Sequence, residues 1–146
     1  MKLNLGCGFR KIEGFINIDN RGCCSPDCQI DLTDFPWPYV NDSIEYIRAF
    51  DILEHLPDKY KTVNEIYRIL KPGGILEFFI PSTDGRGAFQ DPFHVSFWNI
   101  NSWIYYTDKG HRDLYNTKAN FEIIELFDKN LGVGVIHTCG KLKAVK

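Results

Sequence analysis

Short apolar runs that close on small or acidic residues set the rhythm of the first eighty residues. Leu3-Asn4-Leu5 enters Gly6-Cys7-Gly8, and the alternation Phe15-Ile16-Asn17-Ile18-Asp19 closes on an aspartate. Both read as strands of a buried parallel sheet, with the glycines at a carboxyl edge. The Phe9–Gly14 gap is shorter than a normal parallel crossover, so a loop or a single helical turn is expected where a first helix usually stands. Asn20 to Gln29 is turn-rich, and Ile30-Asp31-Leu32 reads as the end of a short third strand before Phe35-Pro36-Trp37-Pro38. Ile44–Phe50 reads as a fourth strand lying beside the first, followed by a polar turn over Asp51–Pro57. From an Asp58 cap, Tyr60, Val63, Tyr67 and Leu70 recur at helical spacing until Lys71-Pro72-Gly73-Gly74 stops them. Ile75–Ile80 is the fifth strand, ending at Pro81. Phe121–Phe127 and Val133–Cys139 then alternate around Asp128–Gly132 as an antiparallel hairpin.

This order implies an α/β fold, a mostly parallel sheet finished by that hairpin, in one domain spanning residues 1–146. With so few N-terminal helices, one face of the first three strands lacks its normal cover. Either a homodimer or the aromatic segment between Phe89 and Tyr106 is expected to bury it. The segment's position after the fifth strand also suits the wall of a pocket.

Apolar residues are 44% of the chain and charged residues 25%, the balance of a globular protein, and no apolar run spans a bilayer. Met1-Lys2 enters the first strand directly, leaving no room for a secretory leader, so a cytoplasmic setting is expected. Five cysteines without export point to free thiols. Cys23, Cys24 and Cys28 lack the spacing and the nearby histidine of a zinc site, so no metal ligand set is expected. A net charge of -2 offers no basic footprint for nucleic acid, Lys141, Lys143 and Lys146 forming only a small basic tail.

The glycines and the acidic strand end narrow the ligand. Lys11 stands where a dinucleotide fingerprint needs its third glycine, so nicotinamide and flavin dinucleotides are disfavoured. A ribose-bearing ligand without phosphates fits better, with Asp19 accepting from both ribose hydroxyls, and S-adenosyl-L-methionine is such a ligand. Asp31 is either an acceptor for the adenine amino group or a turn aspartate ahead of the prolines. His94 is the candidate general base, against the alternative of a structural histidine in the Asp91 turn. His55 reads as a turn-stabilising residue.

Leu3–Gly8, Asn17-Ile18-Asp19, Leu53-Glu54-His55-Leu56 and Leu70–Gly74, in this order, resemble the motifs of the class I S-adenosylmethionine-dependent methyltransferases. Asp91-Pro92-Phe93-His94 with Phe97-Trp98 resembles a compact subgroup of them. The resemblance implies a seven-stranded Rossmann-like sheet. It carries over Gly6, Cys7 and Gly8 as the cofactor loop and Asp19, followed by Asn20, as the ribose side. Asp31 and Leu32 would hold adenine, and Ala49, Phe50 and Asp51 the methionine portion. Two positions depart from the family pattern: Asn4 replaces the usual acidic residue and Arg10 the third glycine. The activity implied is methyl transfer to an oxygen or nitrogen of a small-molecule or carbohydrate-like acceptor. The alternative is a catalytically degenerate nucleotide-binding or partner module.

Overall fold

A computed structural model describes all residues, Met1–Lys146. Seven strands form one sheet: β1 (Lys2–Leu5), β2 (Ile16–Asp19), β3 (Cys28–Gln29), β4 (Ile44–Phe50), β5 (Leu70–Pro81), β6 (Phe121–Gly132) and β7 (Val135–Ala144). Their order is β3-β2-β1-β4-β5-β7-β6. Pairings up to β4–β5 are parallel, and β7 is antiparallel to both β5 and β6. The registers put Leu3 beside Ile16 and Ile47, and Leu5 beside Ile18 and Ala49, so period-2 alternation directs these apolar side chains to one face.

That face carries the core. Helix α1 (Lys59–Ile69) is capped by Asp58, whose side chain accepts from Lys61 N, and buries Val63, Ile66 and Ile69. Each contributes about 1.5–3 kcal/mol by leaving water. Glu65 accepts from Trp37 N at 2.6 Å and from Arg68 Nη2 at 2.6 Å, while Arg68 donates to the Trp37 and Tyr39 carbonyls. The proline-rich loop is thereby fastened to α1. The aromatic segment packs on the same side: Trp103 stacks on Phe78 with ring centroids 3.9 Å apart and on Trp98 at 5.2 Å. It therefore does not bury the opposite face of the first three strands, one of the two covers the sequence leads one to expect.

Polar chemistry covers the opposite face instead. Asn4 lies beside Asn17 and Arg48 in the strand registers, and both asparagines are buried. Asn4 Nδ2 donates to Asn17 Oδ1 at 3.0 Å and to the Arg10 carbonyl at 3.1 Å, and Arg48 Nη1 donates to Asn4 Oδ1. Asn17 Oδ1 accepts from Ile12 N at 2.8 Å, and Asn17 Nδ2 donates to Asp27 Oδ2 at 2.7 Å. The Phe9–Phe15 loop, which contains no helix, is thus tied against β1 and β2 by side-chain amides. Farther along this face Tyr46 donates to Glu77, and Arg48 lies 3.5 Å from the Phe50 ring centroid.

Three sequence boundaries shift. The third strand is Cys28–Gln29, not Ile30–Leu32, because Asp31 turns the chain by accepting from Thr33 N and Oγ1. Leu70 starts β5 and pairs with Ile44, and a register shift absorbs the Pro72-Gly73-Gly74 stretch before Tyr46 meets Ile75. The hairpin turns at Gly132-Val133-Gly134, all at positive φ, so Asp128–Leu131 extends β6 instead of forming the turn. Nor is there a free basic tail: Lys141 pairs with Glu77 and Glu125, Lys143 with Glu122, and Lys146 with Asp42. All five cysteines are free, and no helix is long and apolar enough to cross a membrane.

Replacing Asn17 with Ala strips partners from the buried Asn4 amide and from Ile12 N. Urea unfolding should show a loss of about 2–5 kcal/mol at unchanged m, since each orphaned group costs about 1–3 kcal/mol. A loss under about 0.5 kcal/mol would show that the amide network is not what holds the loop. The Asp27 carboxyl is held down to about 2, chiefly by Lys11 and by the Asn17 bonds. The folded state therefore favours its ionised form, and this stabilisation is complete above the ordinary carboxylate value near 4 and fades as pH falls toward about 2. Asp27→Asn should flatten the stability profile in that window, and an unchanged acid limb would contradict the assignment.

Candidate functional site

The carboxyl edge of β1, β2 and β4 gathers the polar side chains. Gly6 turns the chain at φ +60°, and a Cβ there would stand 2.6 Å from Ile52 Cδ1, so no other residue fits without displacing that side chain. Gly8, also at positive φ, donates its N–H to Asp19 Oδ2 at 2.8 Å. Asp19 is 5% exposed, and its Oδ1 accepts from Arg21 N at 2.9 Å and Arg21 Nε at 3.1 Å. Burial alone would raise the Asp19 carboxyl, but the bonds from Arg21 and Gly8 outweigh it and hold the group ionised below the usual carboxylate range.

A cavity of about 670 Å³ opens over this edge, within the range of small-molecule sites. Of the sequence-predicted residues, Gly6, Asp19, Asn20, Asp31, Leu32 and Asp51 line it. Cys7, Gly8, Ala49 and Phe50 do not. Ala49 belongs to the core face, and strand alternation sends Phe50 to the opposite face, where it stacks on Phe79. Gly8 acts one bond back, through Asp19. Asp31 acts as the turn aspartate, its Oδ1 accepting from Thr33, and its side chain also lines the cavity. Asp51, at φ +50°, also meets His137 Nε2 at 3.2 Å across the β5–β7 seam. Sequence reasoning missed His137, for nothing nearby in the chain marks it, and it gave no role to Arg21.

The far end of the cavity is lined by His55, Asp91 and Phe93. The Phe93–Ser96 segment is clamped onto the 3-10 turn Leu53–His55: Val95 N and Ser96 N both donate to the Glu54 carbonyl, and Ser96 Oγ donates to the Leu53 carbonyl. His94 is not in the lining. Its Nδ1 lies 3.0 Å from the Ala88 carbonyl, and its Nε2 faces Asp91 Oδ2 at 3.7 Å and Glu54 Oε1 at 4.0 Å. His55 Nδ1 lies 3.0 Å from the Phe93 carbonyl. Glu54 is 2% exposed, and burial pushes its carboxyl up to about 8. It stands in a motif the sequence singles out, Leu53-Glu54-His55-Leu56, but the helical and strand patterns give no hint that its side chain turns inward.

A second cavity, of about 600 Å³, lies along α1 and carries Lys61, Arg68, Lys118 and Lys146. Arg68 and Lys146 there are paired with Glu65 and Asp42, and neither glycine loop nor acidic strand end reaches it.

A sequence model of the family described as "Methyltransferase domain" matches residues 18–126. The chain is 32% identical over 68 residues to an S-adenosylmethionine-dependent methyltransferase of Mycolicibacterium smegmatis, covering 44% of this chain and 26% of that protein. It is 30% identical over 94 residues to methyltransferase GfsG of Streptomyces halstedii, covering 62% and 33%. It thus spans a third or less of the curated relatives it matches. Among solved structures, the cyclase SpnF superposes with a TM-score of 0.70 at 14% identity, covering 99% of this chain and 75% of that one. At that identity the likeness concerns the fold alone.

A ribose held by Asp19 would have to compete with Arg21 for the carboxylate. Arg21→Ala should therefore leave binding of S-adenosylhomocysteine intact or tighten it by up to about 10-fold, whereas Asp19→Ala should weaken it by about 10- to 100-fold, the value of a charged hydrogen-bond acceptor. Calorimetry of both variants checks this. Unchanged binding by a folded Asp19→Ala protein would contradict it.

Proposed function

The chain belongs to the methyltransferase domain family, and we propose that it transfers a methyl group from S-adenosyl-L-methionine to an oxygen or nitrogen of a small-molecule, carbohydrate-like acceptor. The observation that carries this reading is that one cavity is lined both by Gly6, Asp19 and Asp31 and by His55, Asp91 and Phe93. The residues present suit the cofactor. Asp19 is a buried, ionised acceptor at a strand end, and the lone pairs a ribose needs become free where the exposed Arg21 side chain swings away. Leu32 gives an apolar wall and Asp31 Oδ2 a free acceptor for the adenine side. Asp51 supplies a carboxylate for the amino-acid end.

When bound, the cofactor supplies an electrophilic methyl on a positively charged sulfur. The chain's own residues then align and desolvate the acceptor. The exposed ring of Phe93 narrows the cavity mouth and favours a cation by about 1–2 kcal/mol, a preference lost once the sulfur is neutral. His55 is the histidine within reach of a bound acceptor. His94, the base suggested by the sequence, is better suited to positioning, since its side chain is enclosed between Ala88, Glu54 and Asp91. Holding the nucleophile in line is the larger part of the work for such a displacement.

Titration calorimetry with S-adenosylmethionine and S-adenosylhomocysteine, followed by a methyl-label transfer assay over hydroxyl- and amine-bearing acceptors, tests the proposal. Single-site binding of both and label in an acceptor are expected. A folded chain that binds neither would favour the degenerate module. On the active protein, His94→Gln should lower kcat at least about 10-fold with cofactor Kd unchanged, and an equal effect on Kd would contradict the positioning role.

A further inference from the structure

Glu54, His55 and His94 bring one ligand-type atom each to within 4.8 Å of one another, beside the cavity that His55 lines. Three observations show what this cluster lacks. Glu54 Oε2 is fully buried and has no hydrogen-bond partner, in a residue only 2% exposed. His55 Nδ1 and His94 Nδ1 each sit 3.0 Å from a backbone carbonyl, of Phe93 and Ala88. A carbonyl only accepts, so in the neutral rings each Nδ1 carries the proton and donates it, leaving each Nε2 as a bare lone pair. His94 Nε2 finds no donor: its neighbours are Asp91 Oδ2 at 3.7 Å and Glu54 Oε1 at 4.0 Å, both beyond hydrogen-bond reach. Ligand-type atoms of Glu54, His55 and His94 thus converge where a buried carboxyl oxygen, Glu54 Oε2, and a ring nitrogen, His94 Nε2, have no hydrogen-bond partner.

We propose that Glu54, His55 and His94, with Asp91 beside them, form a binding site for one divalent first-row transition cation such as Mn²⁺, Co²⁺ or Zn²⁺. The ligand set decides the class. Two imidazoles with carboxylates suit these ions, whereas Mg²⁺ and Ca²⁺ prefer an all-oxygen shell. The carbonyl-held Nδ1–H groups are the outer contacts that fix the tautomer and aim of a metal-binding histidine. A cation also gives Glu54 Oε2 the partner it lacks. Since His55 and Asp91 line the cavity, the cation stands at its acceptor end, where it lowers the pKa of a coordinated hydroxyl. This last role rests on the methyltransferase reading; the site itself does not.

The test needs no activity. Chelator-treated protein is titrated with Mn²⁺ and Zn²⁺ by calorimetry and with Co²⁺ by visible absorption, with Mg²⁺ as the comparison and thermal unfolding followed in parallel. One equivalent of each transition ion should bind and raise the unfolding midpoint, and Mg²⁺ should bind at least about 10-fold more weakly. His55→Gln, His94→Gln and Glu54→Gln should each weaken binding by at least about 10-fold. A Cys23→Ser, Cys24→Ser double variant should leave it unchanged, excluding the thiols. No binding, or binding that survives both histidine substitutions, overturns the proposal. Should Glu54→Gln fail to fold, the half-exposed His55 still decides the matter.

Discussion

The side-chain amide of Asn17 is the constraint on which the fold's first half depends. A parallel pair with so short a crossover has no room for the helix that would normally cover it, so the chain must satisfy the loop's backbone by other means. Asn17 does so from within the sheet, accepting from Ile12 N and Asn4 and donating to the Ile12 carbonyl and Asp27. Asn4 is the matching partner: an amide can donate to Asn17 and the Arg10 carbonyl while accepting from Arg48, which a carboxylate cannot. The result is a sheet with an apolar face packed by α1 and the tryptophans and a polar face held by hydrogen bonds.

That arrangement sets the geometry of the site. With the crossover drawn tight, Gly6 and Gly8 emerge beside the end of β2, and Asp19 closes the loop by accepting from Gly8 N. The same carboxylate that organises the loop faces the cavity. Opposite it, the clamp between Leu53–His55 and Phe93–Ser96 fixes the far wall. Asp19 therefore has its donors in place, whereas Glu54 Oε2 and His94 Nε2 near the cavity have none.

Much of the fold was legible because its signals are local. Period-2 alternation and strand-ending residues mark β1, β2 and β4, and the Asp58 cap with Val63, Ile66 and Ile69 marks α1. The hairpin turn was misread because β6 is an edge strand with most side chains exposed, so Asp128 to Asn130 could remain in the strand without penalty. Gly6, Asp19 and Asp51 were legible as residues at or just past strand ends, whereas Asp31 lies two residues beyond β3, in a turn. Phe50 was not correctly assigned, since proximity to Asp51 in sequence conceals the opposite direction of its side chain. His94 was read as a candidate base, but its enclosure depends on contacts with Glu54 and Ala88 that are distant in sequence or invisible to periodicity.

The central claim is that the β1–β2 edge, and not the basic cavity along α1, receives the cofactor. Backbone amide shifts of labelled protein on adding S-adenosylhomocysteine test it most directly. The account predicts saturable changes at Gly6, Gly8, Asn20, Asp31 and His55, with Lys61, Asn64 and Lys118 undisturbed. Changes centred on the α1 cavity, or none at millimolar ligand, would contradict it.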